Sequence, residues 1–294
     1  MKSFGLILLL ALLWGGSYPL LKVAVETLPP LTVVAVRSLL GGLILLAVLG
    51  PRVRLLGEVR SGSSLRALAI QSAFNCVIPW ILITYAMRSL DAGLAAILNS
   101  LSPIFIFLLT ALITRHEPVT RRKFLGVVLG IAGVVTIVGV DALAGLGAKT
   151  LAEIACVAGA FSYAIAGVIG VRFAKVTPLV PAAGTTLIAA AIMVPFALVV
   201  DRPWTLQPSM ASVLAVLTGA VLSTGLAMVI YFRLLATVGS IAMSSQAYLR
   251  ILVGVGLGMA FLGEKPSPHA LVGLGLVVAG VVAMTWPARR PPTG

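Results

Sequence analysis

Ten long apolar stretches, separated by short loops, constrain the fold of this 294-residue chain more than any other feature. They run roughly over 4–25, 31–49, 65–88, 92–114, 122–140, 150–173, 179–200, 209–235, 240–262 and 268–287. A helix that crosses a bilayer needs about 20 apolar residues, and a soluble domain does not tolerate so much apolar surface. We therefore predict an all-α membrane protein with ten transmembrane helices. The first stretch has no small-residue cleavage site, so we expect a retained span rather than a signal peptide.

The basic residues are concentrated in alternate loops. About 14 of the lysines and arginines fall on one side of the predicted membrane and five on the other. Because positive loops remain cytoplasmic, both termini are predicted to be cytoplasmic. The net charge of +13 is then explained by topology, and we expect no nucleic-acid partner. An anionic partner at the membrane surface is the alternative explanation.

The second half of the chain repeats the first. A shift of 147 residues aligns 94–138 with 241–285 without a gap. The aligned pairs are Asn99 with Gln246, Pro103 with Arg250, Glu117 with Glu264, Gly126 with Gly273 and Gly133 with Gly280. Five spans is an odd number, so the second copy would enter the membrane from the opposite side. We predict two inverted five-helix repeats, 1–147 and 148–294, an architecture typical of alternating-access carriers; chance similarity between apolar sequences is the alternative.

Several short motifs carry a family resemblance. They are Trp14-Gly15-Gly16-Ser17, Pro30-Leu31 followed by Arg37, Pro103 upstream of Glu117, and the Gly126/Gly133 spacing. Together they resemble the drug/metabolite transporter superfamily, in particular its ten-span EamA-type members, over essentially the whole chain. The resemblance implies a basket-like fold in which spans 1, 3, 4, 6, 8 and 9 line a central cavity and spans 5 and 10 are peripheral. The overall pattern is similar to bacterial amino-acid exporters, which implies a carrier in the inner membrane that functions as a monomer.

Polar and aromatic side chains inside the spans are the candidates for substrate contact, because each costs free energy in hydrocarbon unless it faces a cavity or a partner helix. They are Trp14, Ser17, Tyr18, Asn75, Trp80, Asn99, Ser102, Tyr163, Tyr231, Ser244, Gln246, Tyr248 and Arg250. For each of them the alternative is a hydrogen bond between helices or an interfacial anchor. Pro19, Pro79 and Pro103 are expected to provide bending points.

Two arginines lie within spans. Arg37 is about two turns from the end of its span, and we expect it to extend to the interface. Arg250 is in the middle of the ninth span, where an arginine costs at least a few kcal/mol. One hypothesis makes Arg250 the ligand of a substrate carboxylate. The other treats it as an atypical or introduced residue that neighbouring groups satisfy, since the family pattern has proline here; losing that proline should make the ninth span more regular.

All eight acidic residues map to loops or span ends. A proton-coupled exporter of cationic drugs normally needs a carboxylate at mid-membrane. We therefore favour small neutral or zwitterionic metabolites, most of all amino acids, moved without strong ion coupling. A proton-coupled drug exporter that uses a loop carboxylate such as Glu117 or Glu264 is the alternative. The sequence has no metal-ligand cluster, phosphate loop or nucleophile with its base, so we expect no cofactor, no metal and no enzymatic activity.

Overall fold

The structure is a computed structural model, and it describes residues 2–50, 57, 62–111, 120–143, 148–244 and 246–285. Its α-helices are α1 (Lys2–Gly15), α2 (Ser17–Ala24), α3 (Pro30–Leu49), α4 (Gly62–Ser72), α5 (Ile78–Ala86), α6 (Ala92–Asn99), α7 (Ser102–Leu109), α8 (Arg121–Leu143), α9 (Ala148–Gly170), α10 (Leu179–Val200), α11 (Met210–Thr218), α12 (Ala227–Ser244), α13 (Gln246–Leu262) and α14 (Pro268–Thr285). All the regular structure in these residues is helical, as the sequence predicts.

Seven helical stretches are long and apolar enough to cross a membrane. They are Phe4–Ala24, Pro30–Leu49, Ser64–Ala86, Ala92–Leu109, Lys149–Phe173, Leu179–Val200 and Met210–Val238. Three shorter apolar helices, Phe124–Gly133, Leu249–Leu262 and Pro268–Gly280, cover the remaining predicted spans within the described residues. The chain is therefore an all-α, multi-pass membrane protein.

Two helical stretches contain π-helical segments. Ala73–Val77 joins α4 to α5, and Gly219–Leu226 joins α11 to α12. A π-helical turn widens the helix and leaves some backbone carbonyls without their usual i+4 partner, which is why such turns recur at functional sites. The two segments overlap under the shift of 147 residues.

The loop predicted between the eighth and ninth spans is absent, and the prediction is wrong there. α12 continues through 236–239 and ends only at Ser244. This stretch has no proline, and Gly239 costs a helix only about 1 kcal/mol. The hydroxyl of Thr237 donates to the carbonyl oxygen of Arg233, one turn earlier, so the helix also satisfies its polar side chain.

The helices pack in pairs that join the first half of the chain to the second. α3 packs against α10, α8 against α14, α5 against α9, α2 against α11, and α6 against α13. α8 and α14 pack mainly against each other, at a contact of small residues. A β-carbon added to Gly133 would lie 2.7 Å from the carbonyl oxygen of Gly273, and one added to Gly280 would lie 2.5 Å from that of Gly126. The remaining helices surround the centre of the molecule.

Candidate functional site

A cavity of about 60 Å³ lies where helices of the two halves meet. It is lined by Trp14, Ser17, Tyr18, Leu21, Arg37, Asn75, Trp80, Ile83, Ser102, Ile106, Tyr163, Met228, Tyr231, Gln246, Ala247 and Arg250.

Ten of the thirteen candidate residues from the sequence line this cavity. They are Trp14, Ser17, Tyr18, Asn75, Trp80, Ser102, Tyr163, Tyr231, Gln246 and Arg250. Asn99 is buried behind the lining and contacts Arg250. Ser244 and Tyr248 belong to α12 and α13, and their side chains lie outside what the structure describes.

Hydrogen bonds to the π-helical segments hold the cavity wall in place. Trp14 Nε1 donates to the carbonyl oxygen of Ser223 (3.1 Å), and the Ser223 hydroxyl donates to that of Leu13 (2.8 Å). In the other half, the Ser162 hydroxyl of α9 donates to the carbonyl oxygen of Phe74 (2.9 Å). Each π-helical segment therefore accepts a side-chain hydrogen bond from a helix of the opposite half, and this contact positions Trp14 and Asn75 at the cavity.

The aromatic part of the wall is a connected set of rings. The ring centroids of Trp14 and Tyr231 are 5.5 Å apart, and those of Tyr231 and Phe232 are 4.9 Å apart at 79°. Tilted and edge-to-face contacts of this kind are favourable and rigid. They give the cavity an apolar surface that holds its shape.

Arg37 does not extend to the interface, so that expectation is wrong. It is only 5% exposed, and its guanidinium carbon lies 4.9 Å from the centroid of the Trp80 ring. Its Nε donates to the hydroxyl of Thr224 (3.3 Å), in the second π-helical segment. A cation–π contact and a hydroxyl inside the helices compensate for part of the lost hydration. Sequence reasoning could have found this residue by the argument used for Arg250, that a charge within a span faces a cavity.

Arg250 is 4% exposed and contacts Asn99, which lies four residues before Pro103, the residue that aligns with position 250. Its Nη2 donates to the backbone oxygen of Asn99 (3.0 Å) and to Asn99 Oδ1 (3.1 Å). In an uninterrupted helix the N–H of residue 103 would bond to that carbonyl, but Pro103 has none. The helix is interrupted between Asn99 and Ser102, whereas α13 runs without interruption. Arg250 thus satisfies a carbonyl oxygen that Pro103 leaves free.

The irregular helices lie next to the three candidate bending prolines. Pro19 follows the interruption between α1 and α2, Pro79 follows the π-helical segment Ala73–Val77, and Pro103 follows the interruption between α6 and α7. Their role as bending points in transport stays a prediction.

Acidic side chains of the described residues lie away from the cavity. Glu264 accepts hydrogen bonds from the backbone N–H groups of Ala92 (2.6 Å) and Gly93 (2.9 Å), at the N-terminus of α6. Glu264 therefore caps a helix terminus, where a carboxylate is stabilised by the helix dipole. Glu117 lies outside the described residues. Glu153 differs from expectation, because it lies in the second turn of α9 and is fully buried.

Together, the helices and the enclosed cavity define a multi-pass membrane protein with a polar and aromatic chamber at its centre. The chain belongs to the EamA-like transporter family, which it matches over residues 1–139 and 150–286. It is therefore a membrane transporter. No group of three or more potential metal ligands occurs in the part of the chain that the structure describes.

Individual relatives cover nearly the whole chain. It is 28% identical over 286 residues to the "Uncharacterized inner membrane transporter YedA" of Escherichia coli (strain K12), covering 96% of this chain and 90% of the relative. It is 22% identical over 285 residues to the "Uncharacterized transporter YoaV" of Bacillus subtilis (strain 168), covering 97% of each. A solved crystal structure with 20% sequence identity has a TM-score of 0.70 over 99% of both chains, so the fold is shared.

Proposed function

We propose that this protein is a carrier that exports small metabolites, most of all amino acids, across a bacterial inner membrane by alternating access without strong ion coupling. The observation that carries the proposal is the central cavity, because residues of both halves line it within a transporter-family fold. The name of the relative YedA supports the inner membrane as its location. The described lining comes from one chain, which supports a carrier that functions as a monomer.

We further propose that the ten spans form two inverted repeats, 1–147 and 148–294, with both termini cytoplasmic. The seven long apolar helices and the three shorter ones support ten spans. The two π-helical segments, which overlap under the shift of 147 residues, support the repeat. So do the paired packing of α3 with α10 and α8 with α14, and the separate family matches over 1–139 and 150–286.

On this topology, contacts between the halves favour closure on the non-cytoplasmic side. There the Ser212 hydroxyl donates to the carbonyl oxygen of Val23 (2.8 Å), which ties α11 to α2. Asp201 Oδ2 accepts from both the backbone N–H and the hydroxyl of Thr32 (2.8 Å each), at the start of α3.

Alternating access then requires these outer contacts to open during transport, with bending next to Pro19, Pro79 and Pro103.

A proton-coupled exporter of drugs or toxic compounds is the second candidate. The observation that favours it is Glu153, because a fully buried carboxylate in a membrane helix is a common proton carrier. Glu153 is not one of the residues that line the cavity, which favours the uncoupled carrier.

Uptake of labelled amino acids into proteoliposomes tests the proposal, with and without an imposed proton gradient. A Ser102→Trp variant, which fills the cavity, is the blocked control, and Val199→Ala, at an exposed apolar position, is the matched control. We expect saturable uptake whose rate is the same with and without the proton gradient. Uptake should be lost in Ser102→Trp and should persist in Val199→Ala. Uptake that requires the gradient would favour the second candidate, and amino-acid uptake that the Ser102 variant retains would contradict the cavity as the route.

A further inference from the structure

We propose that the cargo is a small organic anion that binds in the central cavity, where Arg37 and Arg250 supply the positive charge. This rests on the proposed function and narrows its substrate class. It also revises the expectation of neutral or zwitterionic cargo, since an acidic amino acid or a short organic acid fits the charge of the cavity better than a neutral amino acid does.

The lining of the cavity is positively charged. Arg37 and Arg250 both line the cavity and both are about 95% buried. No carboxylate of the described residues is part of that lining. The cavity therefore has two formal positive charges that no protein anion in the lining compensates.

The two guanidinium groups have more hydrogen-bond donors than the described residues use. Each has five N–H donors. Arg37 uses only Nε, toward Thr224, so four of its N–H groups have no partner among the described residues. Arg250 uses only Nη2, toward Asn99, so its Nε and Nη1 have none. Most of the donors are therefore available to a ligand.

Both arginines and an unpaired acceptor line the same cavity. Arg37 belongs to α3 and Arg250 to α13, so the two guanidinium groups come from different halves of the chain. The side-chain oxygen of Gln246 is buried without a partner among the described residues, and it can accept from an amino or hydroxyl group of the cargo.

Electrostatics then selects the class of cargo. A buried guanidinium without a counter-ion is costly. A carboxylate relieves this cost and forms paired, charge-assisted hydrogen bonds with arginine. A cation is repelled, and a zwitterion of zero net charge leaves the positive charge of the described lining uncompensated.

Binding can be measured directly on the purified full chain. Two of the four tryptophans, Trp14 and Trp80, line the cavity, so intrinsic fluorescence reports on occupancy. We would titrate succinate and L-aspartate as anions, L-alanine as a zwitterion, tetramethylammonium as a cation, and inorganic phosphate as the competing oxyanion. We expect saturable changes with succinate and L-aspartate, at least about tenfold weaker responses to L-alanine and tetramethylammonium, and phosphate binding no tighter than that of the two carboxylates.

Substitutions assign the binding to the arginines. Arg250→Gln and Arg37→Gln should each weaken succinate binding by about tenfold to a hundredfold, the range for a charge-assisted pair. Arg250→Lys keeps the charge and should retain part of the affinity, which separates lost charge from a disturbed fold. The matched control is Arg233→Gln, since Arg233 is exposed on α12 and does not line the cavity; it should bind succinate normally.

Three results would overturn the inference. In the first, L-alanine and succinate bind equally well. In the second, substitution of Arg250 and Arg37 leaves the affinity for succinate unchanged. In the third, phosphate binds more tightly than either carboxylate. Uptake by proteoliposomes is scored separately. Anion binding without any transport would contradict the proposed function and leave this inference intact. Transport of neutral amino acids without anion binding would contradict this inference and leave the proposed function intact.

Discussion

Position 103 in α7 and position 250 in α13 align under the shift of 147 residues, yet they have opposite chemistry. Pro103 cannot donate a backbone hydrogen bond, and the helix before it is interrupted. Arg250 keeps its N–H, so α13 is continuous, and its side chain reaches the carbonyl oxygen of Asn99 that Pro103 leaves free. Of two aligned positions, one therefore interrupts its helix, whereas the other keeps its helix continuous and supplies a charge.

The largest effect should come from making the halves alike. Arg250→Pro removes both hydrogen bonds to Asn99 and one guanidinium from the cavity, and it interrupts α13 near its start. A proline inside a helix costs about 3 kcal/mol. We expect anion uptake to fall by at least about tenfold and the melting temperature to decrease. Raised uptake in this variant would show that Arg250 is not a cargo ligand.

The reverse substitution sharpens the comparison. Pro103→Ala restores the N–H that can donate to the carbonyl oxygen of Asn99, where Arg250 and Ser102 now donate. We expect a higher melting temperature by a few degrees and slower transport, because a continuous helix bends less readily. Binding of succinate should change little. Unchanged transport at raised stability would remove bending at Pro103 from the mechanism.

A smaller effect is expected at the outer contact between the halves. Glu264→Gln removes the charge that interacts with the dipole of α6 and one of its two accepting oxygens. The free energy of unfolding should decrease by about 1 kcal/mol. It should also increase the labelling of a cysteine introduced at Ala24, between α2 and α11, by an impermeant reagent from the non-cytoplasmic side. Glu26→Gln, at an exposed position, is the control and should change neither the free energy of unfolding nor the labelling of the cysteine.

The smallest effect is expected from Glu153→Gln. Glu153 is buried in α9 but does not line the cavity, so its protonation should not be part of the transport cycle. We expect the same response of uptake to an imposed proton gradient in the variant as in the parent. A gradient response that the substitution abolishes would establish proton coupling.

Sequence reasoning located most of the cavity for a physical reason. Polar and aromatic residues such as Asn75 and Tyr163 cost free energy in lipid. The same cost that makes them stand out in the sequence favours their placement at the centre of the molecule. Apolar lining residues such as Met228 carry no such signal, because they fit lipid and cavity equally well.

The errors have equally specific causes. Distance along the span favours the interface for Arg37, whereas its Trp80 and Thr224 partners are far away in sequence. The loop expected at 236–239 is helical because no proline or strong cap interrupts that stretch. Glu153 lies only a turn from its span end, and its burial depends on helices packed against α9 that a single sequence does not reveal.

Counterflow of labelled succinate is the measurement that tests the account most directly. Proteoliposomes loaded with unlabelled succinate would receive labelled succinate outside, with the parent protein, Arg250→Gln and Arg233→Gln in parallel. The account predicts saturable uptake that internal succinate stimulates, that decreases by at least about tenfold in Arg250→Gln, and that Arg233→Gln leaves unchanged. Uptake that internal succinate does not stimulate, or that is equal in all three proteins, would contradict an alternating-access carrier that binds its anionic cargo through Arg250.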